Sequence, residues 1–245
     1  MTRPSIRVAD LRRTFGDTTA LDGVTFDVTD PEVVGIAGPN GCGKTTIIRT
    51  LLGLLEPSGG DAAVGGVAPT DFAASDRERL GYMPQHEAVY RDLTVAENVA
   101  FFARLYGVPD VEAAVDDALS FVDLGHRRDD RVAALSGGMV RRTSLACAVV
   151  HDPDVLFLDE PTVGLDPELR AAMWREFRRR RDDGAVLFVS THYLGEARHC
   201  DRVLFLRDGD VLAFDTPQAF RERTGTEDLE DAFLALLDDE TEVAT

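Results

Sequence analysis

Short β-rich runs open the chain at Ile6 to Phe15 and Val24 to Val28, followed by the uniformly apolar run Val33 to Ala37. That run ends in a glycine-rich turn, Gly38 to Gly43, and a helical pattern follows from Thr45 to Leu55. Gly59-Gly60 and Gly65-Gly66 punctuate a turn-rich stretch with short strands, and Leu80 to Met83 reads as a strand stopped by Pro84. From Leu93 the texture changes. Val95 to Tyr106 and Val111 to Val122 are amphipathic helical patterns parted by Gly107-Val108-Pro109. A third helix is expected from Ser136, a capping residue, through Val150. Strand and helix then alternate: Val155 to Leu158, Pro167 to Arg181, Ala185 to Ser190 and Val203 to Arg207. Asp208-Gly209 signals a hairpin turn, and two acidic helical segments, Pro217 to Arg223 and Leu229 to Asp238, come last.

The alternation predicts an α/β fold with a mainly parallel sheet, preceded by an antiparallel β-rich region. A helical insert from 86 to 150 interrupts the core, which takes in 1–85 and 151–215, and 216–245 forms a short helical extension. A length of 245 residues suits one large domain carrying a subdomain, and 44% hydrophobic residues supply its core. No run of 18 apolar residues is present, and the polar opening MTRPSIRVADLRR holds no apolar signal core. Cys42, Cys147 and Cys200 are too scattered for a disulfide framework or a zinc site, which points to a reducing cytoplasm.

Charge narrows the function. A net charge of −18 disfavours nucleic acid as main ligand and an anionic membrane surface as direct anchor. Lys44 is the one lysine; arginine supplies the other 25 side-chain cations. The composition is similar to that of proteins adapted to molar salt, where high ionic strength screens self-repulsion. In a chain that avoids lysine, the lysine that remains marks a task arginine does not perform.

Lys44 falls in GPNGCGKT, residues Gly38-Pro39-Asn40-Gly41-Cys42-Gly43-Lys44-Thr45, which fits G-x-x-x-x-G-K-[ST] between a strand and a helix. Glycines let main-chain N–H groups turn inward around phosphate oxygens, and the helix N-terminus adds positive potential. Lys44 reaches the β- and γ-phosphates, the Thr45 hydroxyl ligates Mg²⁺, and Thr46 bonds the α-phosphate. Cys42 is read two ways: a small spacer, or a thiol activated by nearby backbone donors. Downstream, VLFLDE (Val155 to Glu160) is a buried strand ending in two acids, at the edge where parallel sheets bind ligands. Asp159 would hold Mg²⁺ through a water and Glu160 would polarise the attacking water.

Between these lies LSGGMVRR, Leu135 to Arg142, and the full order is phosphate loop, Gln85 after a strand, LSGG, acidic strand, VGLDP (Val163 to Pro167) and VSTH ending in His192. This series resembles the ABC ATPase family over nearly the whole chain. The resemblance implies a P-loop NTPase core and ATP with Mg²⁺ as cofactors. Phe15 matches the aromatic that stacks on adenine, Gln85 the glutamine that contacts Mg²⁺ or the lytic water, and His192 the histidine that touches the γ-phosphate. Ser136, Gly137 and Gly138 match the signature that grips ATP bound to an opposite subunit, and Asp166 the aspartate that crosses the dimer interface. Met139 departs from the commonest signature, which has glutamine there, and its thioether donates no hydrogen bond. LSGGM-x-RR, DLTVAENVAFFARLYGV (Asp92 to Val108) and LEDAFLAL (Leu229 to Leu236) resemble the ABC-2 type exporter branch of drug, antibiotic and nodulation-factor ATPases. That implies an ATPase subunit, paired with a second copy or a related subunit, acting on integral membrane permease subunits at the cytoplasmic face of the membrane. A soluble ABC ATPase of translation, repair or iron–sulfur assembly and a non-hydrolysing nucleotide-binding regulator are the alternative readings.

Overall fold

A computed structural model describes residues 5–243, with side chains to 238. It divides into two compact units, Met1–Phe72 with Val186–Thr245, and Ala73–Ala185.

The first unit opens with strands β1 (Ile6–Phe15) and β2 (Thr18–Val28), antiparallel and joined by the two-residue turn Gly16-Asp17. Ile6, Val8, Leu11, Leu21, Val24, Phe26 and Val28 point into the core while the residues between them face out. Strand β2 therefore starts six residues before the expected Val24, because the polar stretch from Thr18 pairs across the turn without carrying an apolar pattern. Strand β3 (Val33–Ala37) is buried at every position. Helix α1 (Lys44–Leu51) stops short of the expected Leu55. Gly53 takes a left-handed φ of 68° there, which breaks the helix. Strand β4 (Gly59–Val64) then pairs antiparallel with β1.

In the second unit the short helix α2 (Ala74–Arg77) leads to β5 (Leu80–Met83). Helix α3 (Val95–Leu105) begins at a reciprocal cap: Glu97 N–H donates to Thr94 Oγ1 at 3.1 Å, and Thr94 N–H donates to the Glu97 carboxylate at 2.8 Å. Fully buried Asn98 accepts from Tyr90 N–H at 2.7 Å and donates to the carbonyls of Tyr90 (3.0 Å) and Thr94 (2.9 Å), pinning the loop that follows Gln85 to this helix. Helices α4 (Val111–Phe121) and α5 (Gly137–Val149) follow. The α5 run from Thr143 to Val149 is buried at every residue, so it reads as an apolar block rather than a stripe. Strand β6 (Val155–Asp159) pairs parallel with β5, and α6 (Pro167–Asp182) packs Met173, Trp174 and Phe177 inward.

The first unit resumes with β7 (Val186–Thr191), β8 (Arg202–Arg207) and β9 (Asp210–Asp215). Here β3 lies parallel between β7 and β8, and β9 returns antiparallel on β8 through Asp208-Gly209. Helices α7 (Pro217–Thr224) and α8 (Leu229–Val243) close the chain. They are packed elements: Phe220 and Phe233 sit with ring centroids 4.6 and 5.2 Å from Phe205 of β8. The α/β class holds, with mostly parallel strands and a separate antiparallel sheet at the N-terminal end. Among the described residues no helix is long and apolar enough to cross a membrane, and all three cysteines are free.

Arginines pair with acids across the surface, as in Arg12 with Asp10 and Asp22, and Arg128 with Glu112 and Asp116. Exposed pairs stabilise weakly and are screened by salt. They also leave a surplus of acids, since 44 Asp and Glu face 26 Lys and Arg for a net charge of −18. Added salt should therefore stabilise this fold. The melting midpoint, followed by circular dichroism, is expected to rise from dilute buffer to molar KCl, by about 2–4 °C for each kcal/mol gained. An unchanged melt would show that self-repulsion has no hold on the fold.

Candidate nucleotide site

In the first unit, β3 delivers the chain into the loop Gly38–Gly43, and α1 starts at Lys44. Two glycines are required by geometry. A Cβ on Gly38 would lie 2.2 Å from the Leu206 carbonyl oxygen, and one on Gly43 would lie 2.8 Å from that of Ala20. Both also have positive φ, 153° and 110°. Gly43 occupies the position of the helix cap with no side chain to offer, so no capping side chain competes with an anion for the positive end of α1. Lys44 is buried, and its Nζ donates to the carbonyls of Gly38 (2.7 Å) and Pro39 (2.9 Å), which arches the loop around its own cation. The cradle fits a polyphosphate.

Cys42 is 2% exposed, and burial pushes its thiol pKa up despite the neighbouring Lys44. That favours the spacer reading over the activated thiol. Phe15 ends β1, 45% exposed as a residue and with the Arg13 guanidinium 4.5 Å from its ring centroid, so it is a surface aromatic and not core. His192 directly follows β7, half-buried, its ring 4.0 Å from that of Tyr193.

The second unit gathers the acids and the signature. The parallel register Leu80↔Val155 through Met83↔Leu158, continued two residues, sets Gln85 beside Glu160. Gln85 Nε2 donates to Glu160 Oε2 at 3.3 Å. Asp159 and Glu160 are both buried, at 1% and 7% exposure, and Glu160 has a left-handed φ of 55° that few residues with a Cβ adopt. Such strain at a buried acid is typical of functional turns. Among the described residues no cluster of three His, Cys, Asp or Glu forms a metal cage. Thr45 in the first unit and Asp159 in the second each offer a hard oxygen of the kind that Mg²⁺ takes.

Ser136 caps α5 as expected, its Oγ accepting from Met139 N–H at 3.4 Å. Met139 thus contributes its main chain here. Ser136 and Gly137 are exposed, and a Cβ on Gly137 would meet nothing within 4 Å, so bare backbone fronts the start of this helix. Asp166 caps α6, accepting from Glu168 N–H (3.1 Å) and Leu169 N–H (3.0 Å). The Leu169 bond first, then that of Glu168, hold its carboxyl below the usual carboxylate range. The structure therefore brings Gln85, Ser136, Gly137, Gly138, Asp159, Glu160 and Asp166 into the second unit, and Phe15, the phosphate loop and His192 into the first.

One residue that sequence reasoning left without a role is Arg141. Its guanidinium donates to the main-chain carbonyls of Gln85 (3.1 Å), Asp159 (3.0 Å) and Glu160. The available signal was spacing: Arg141 stands three and four residues after Gly138 and Gly137, on the same helix face.

The ABC transporter family model matches residues 21–163, from β2 through the phosphate loop, Gln85, the signature and the paired acids. This chain belongs to the ABC transporter family. Nod factor export ATP-binding protein I of Burkholderia lata is 40% identical over 216 residues, which cover 87% of this chain and 71% of that protein. The probable multidrug ABC transporter ATP-binding protein YbhF of Escherichia coli is 34% identical over 244 residues, 96% of this chain and 42% of that one. A solved ATP-binding subunit of an ABC transporter superposes with a TM-score of 0.87 at 30% identity, covering 95% of this chain and 99% of that one. A bacterial Atm1-family ABC exporter with ATP bound shares the fold, with a TM-score of 0.83 at 24% identity over 98% of this chain and 42% of its own. The protein is an ATP-binding ATPase subunit of the ABC transporter family with exporter-type relatives. Phe15, Asp166 and His192 lie outside the matched 21–163.

Proposed function

We propose that this ABC transporter subunit hydrolyses ATP in a head-to-tail dimer and drives separate integral membrane subunits in export. In this reading Gly38–Thr46 and Lys44 bind the phosphates, Phe15 stacks on adenine, and Ser136, Gly137 and Gly138 take the γ-phosphate of the opposite subunit's nucleotide. Thr45, Asp159 and Gln85 would hold Mg²⁺, which supplies charge neutralisation of the phosphate oxygens when bound. Glu160 accepts a proton from the attacking water, Gln85 orients that carboxylate, and His192 steadies the γ-phosphate. Asp166 crosses the dimer interface. The subunit works at the cytoplasmic face of the membrane, attached through its membrane partners, and the cargo is chosen by them.

The observation that carries the site reading is the buried Glu160, aimed by Gln85 at 3.3 Å and set at the end of a parallel strand. The exporter reading is supported by the Nod factor export and multidrug relatives. The test is purification of the tagged chain from detergent-solubilised membranes at high salt, with its partners identified. A stoichiometric multi-span membrane protein is the expected result. A soluble partner, or none after mild extraction, would overturn the transport reading in favour of a soluble ABC ATPase.

A further inference from the structure

The guanidinium of Arg141 joins three things that the sequence keeps far apart. It rises from α5 one turn beyond the signature glycines. Its Nη1 donates to the Gln85 carbonyl at 3.1 Å, and its Nη2 donates to the carbonyls of Asp159 (3.0 Å) and Glu160. The side-chain bond from Gln85 to Glu160 closes the circuit. Those carbonyls belong to the two turns that present the glutamine and the buried acids, and the Glu160 turn is the strained one, at φ 55°. Fixing its carbonyl fixes the backbone from which the Glu160 side chain departs, and the Gln85 bond holds the carboxylate. A planar fork with donors on two nitrogens reaches three acceptors at once, which an ammonium on a flexible stem does not. Burial pulls the Arg141 pKa down while the Glu160 and Asp159 carboxylates push it up, and the group stays charged.

We propose that Arg141 is a positioning residue that couples the two nucleotide sites of the dimer, tying the signature helix to the backbone that aims Glu160. This rests on the head-to-tail reading above, in which the signature of one subunit takes the other subunit's nucleotide. Docking of Ser136–Gly138 on that nucleotide fixes the start of α5, and Arg141 transfers the fixed position to Gln85 and Glu160 in its own site. Hydrolysis at each site then waits for nucleotide at both.

The test compares phosphate release against ATP concentration for wild type, Arg141→Ala, Arg141→Lys and Arg142→Ala, with melting midpoint and affinity for a fluorescent ATP analogue measured alongside. Arg142 is the control. It leaves the same helix but donates to the carbonyls of Val122 (3.0 Å) and Asp123 (3.1 Å), not to those of the Gln85 and Glu160 turns. Arg141→Ala is expected to lose about 10²-fold in kcat, the scale of a small misplacement of a reacting group. Its Hill coefficient falls from about two toward one, the value for uncoupled sites. Nucleotide affinity stays unchanged, and millimolar methylguanidinium restores rate and cooperativity where equal KCl does not. Arg142→Ala lowers the midpoint and keeps the wild-type Hill coefficient. Wild-type kcat and cooperativity in both Arg141 variants would overturn the proposal. So would an equal loss of cooperativity in Arg142→Ala, which would make the effect one of helix stability. If Arg141→Ala does not fold, Arg141→Lys carries the same comparison, since it keeps the charge and loses the fork. A silent Glu160→Gln beside fully cooperative Arg141 variants would remove the coupling alone, whereas turnover by Glu160→Gln would remove the assignment beneath it.

Discussion

Glu160→Gln is expected to bind ATP at wild-type affinity, to lose about 10²–10⁴-fold in hydrolysis, and to accumulate as a nucleotide-bound dimer. That range corresponds to about 3–5.5 kcal/mol of barrier. The substitution is nearly isosteric and leaves the acceptor oxygen that Gln85 Nε2 meets at 3.3 Å. The turn at φ 55° carries the same steric cost with glutamine as with glutamate, so the backbone has no reason to move. What disappears is the carboxylate proposed to accept the proton of the attacking water. A neutral amide at a position only 7% exposed removes a desolvated charge but also a carboxylate that favours the charged Arg141, so the melting midpoint should change little. Because ATP then persists, the state it holds together persists too. Phosphate release and size-exclusion chromatography in molar salt with ATP give the two readouts. Turnover at the wild-type rate would place the base elsewhere.

Much of this site was legible in the chain because its chemistry is local. The strand–loop–helix around Lys44 needs only Val33 to Ala37, the glycines and the start of α1, all within about twenty residues of one another. Ser136 was readable as a cap for the same reason, since its bond to Met139 N–H spans three residues. The misses follow from the opposite condition. Strand β2 begins at Thr18 because β1 supplies its partner, and the polar residues from Thr18 hold no apolar pattern of their own. The end of α1 depends on Gly53, which a periodicity count over Leu52 to Leu55 passes over. Asn98 lies in a run read only as an amphipathic helix, yet it satisfies both backbone groups of Tyr90 in the preceding loop and the carbonyl of Thr94, its own helix cap. Arg141 was hidden most fully. Its acceptors are main-chain carbonyls 56, 18 and 19 residues away, and carbonyls leave no mark in a sequence.

Lys44→Arg tests the phosphate loop, and its outcome should be severe although the charge is kept. Arginine serves as the cation at 25 other positions of this chain, so charge alone does not account for lysine here. Lys44 is 7% exposed, and its ammonium spends two of its three donors on the carbonyls of Gly38 and Pro39. The third remains for a phosphate oxygen. A guanidinium is a wider, planar group whose donors are fixed in one fork. Inside an arch closed by the carbonyls of Gly38 and Pro39 it must either push the loop open or withdraw. Losing one charge-assisted bond costs about 1.5–3 kcal/mol, so nucleotide affinity should fall roughly ten- to hundredfold. Hydrolysis is expected to fall further, since in the proposed mechanism the same ammonium steadies charge that grows in the transition state. Fluorescent-nucleotide titration and phosphate release would record both, with the melting midpoint as a check on the fold. Near wild-type binding and turnover in Lys44→Arg would mean that the loop needs only a positive charge. The two variants also separate the site by function: Glu160→Gln keeps the nucleotide and loses the chemistry, whereas Lys44→Arg loses the grip on which the chemistry depends.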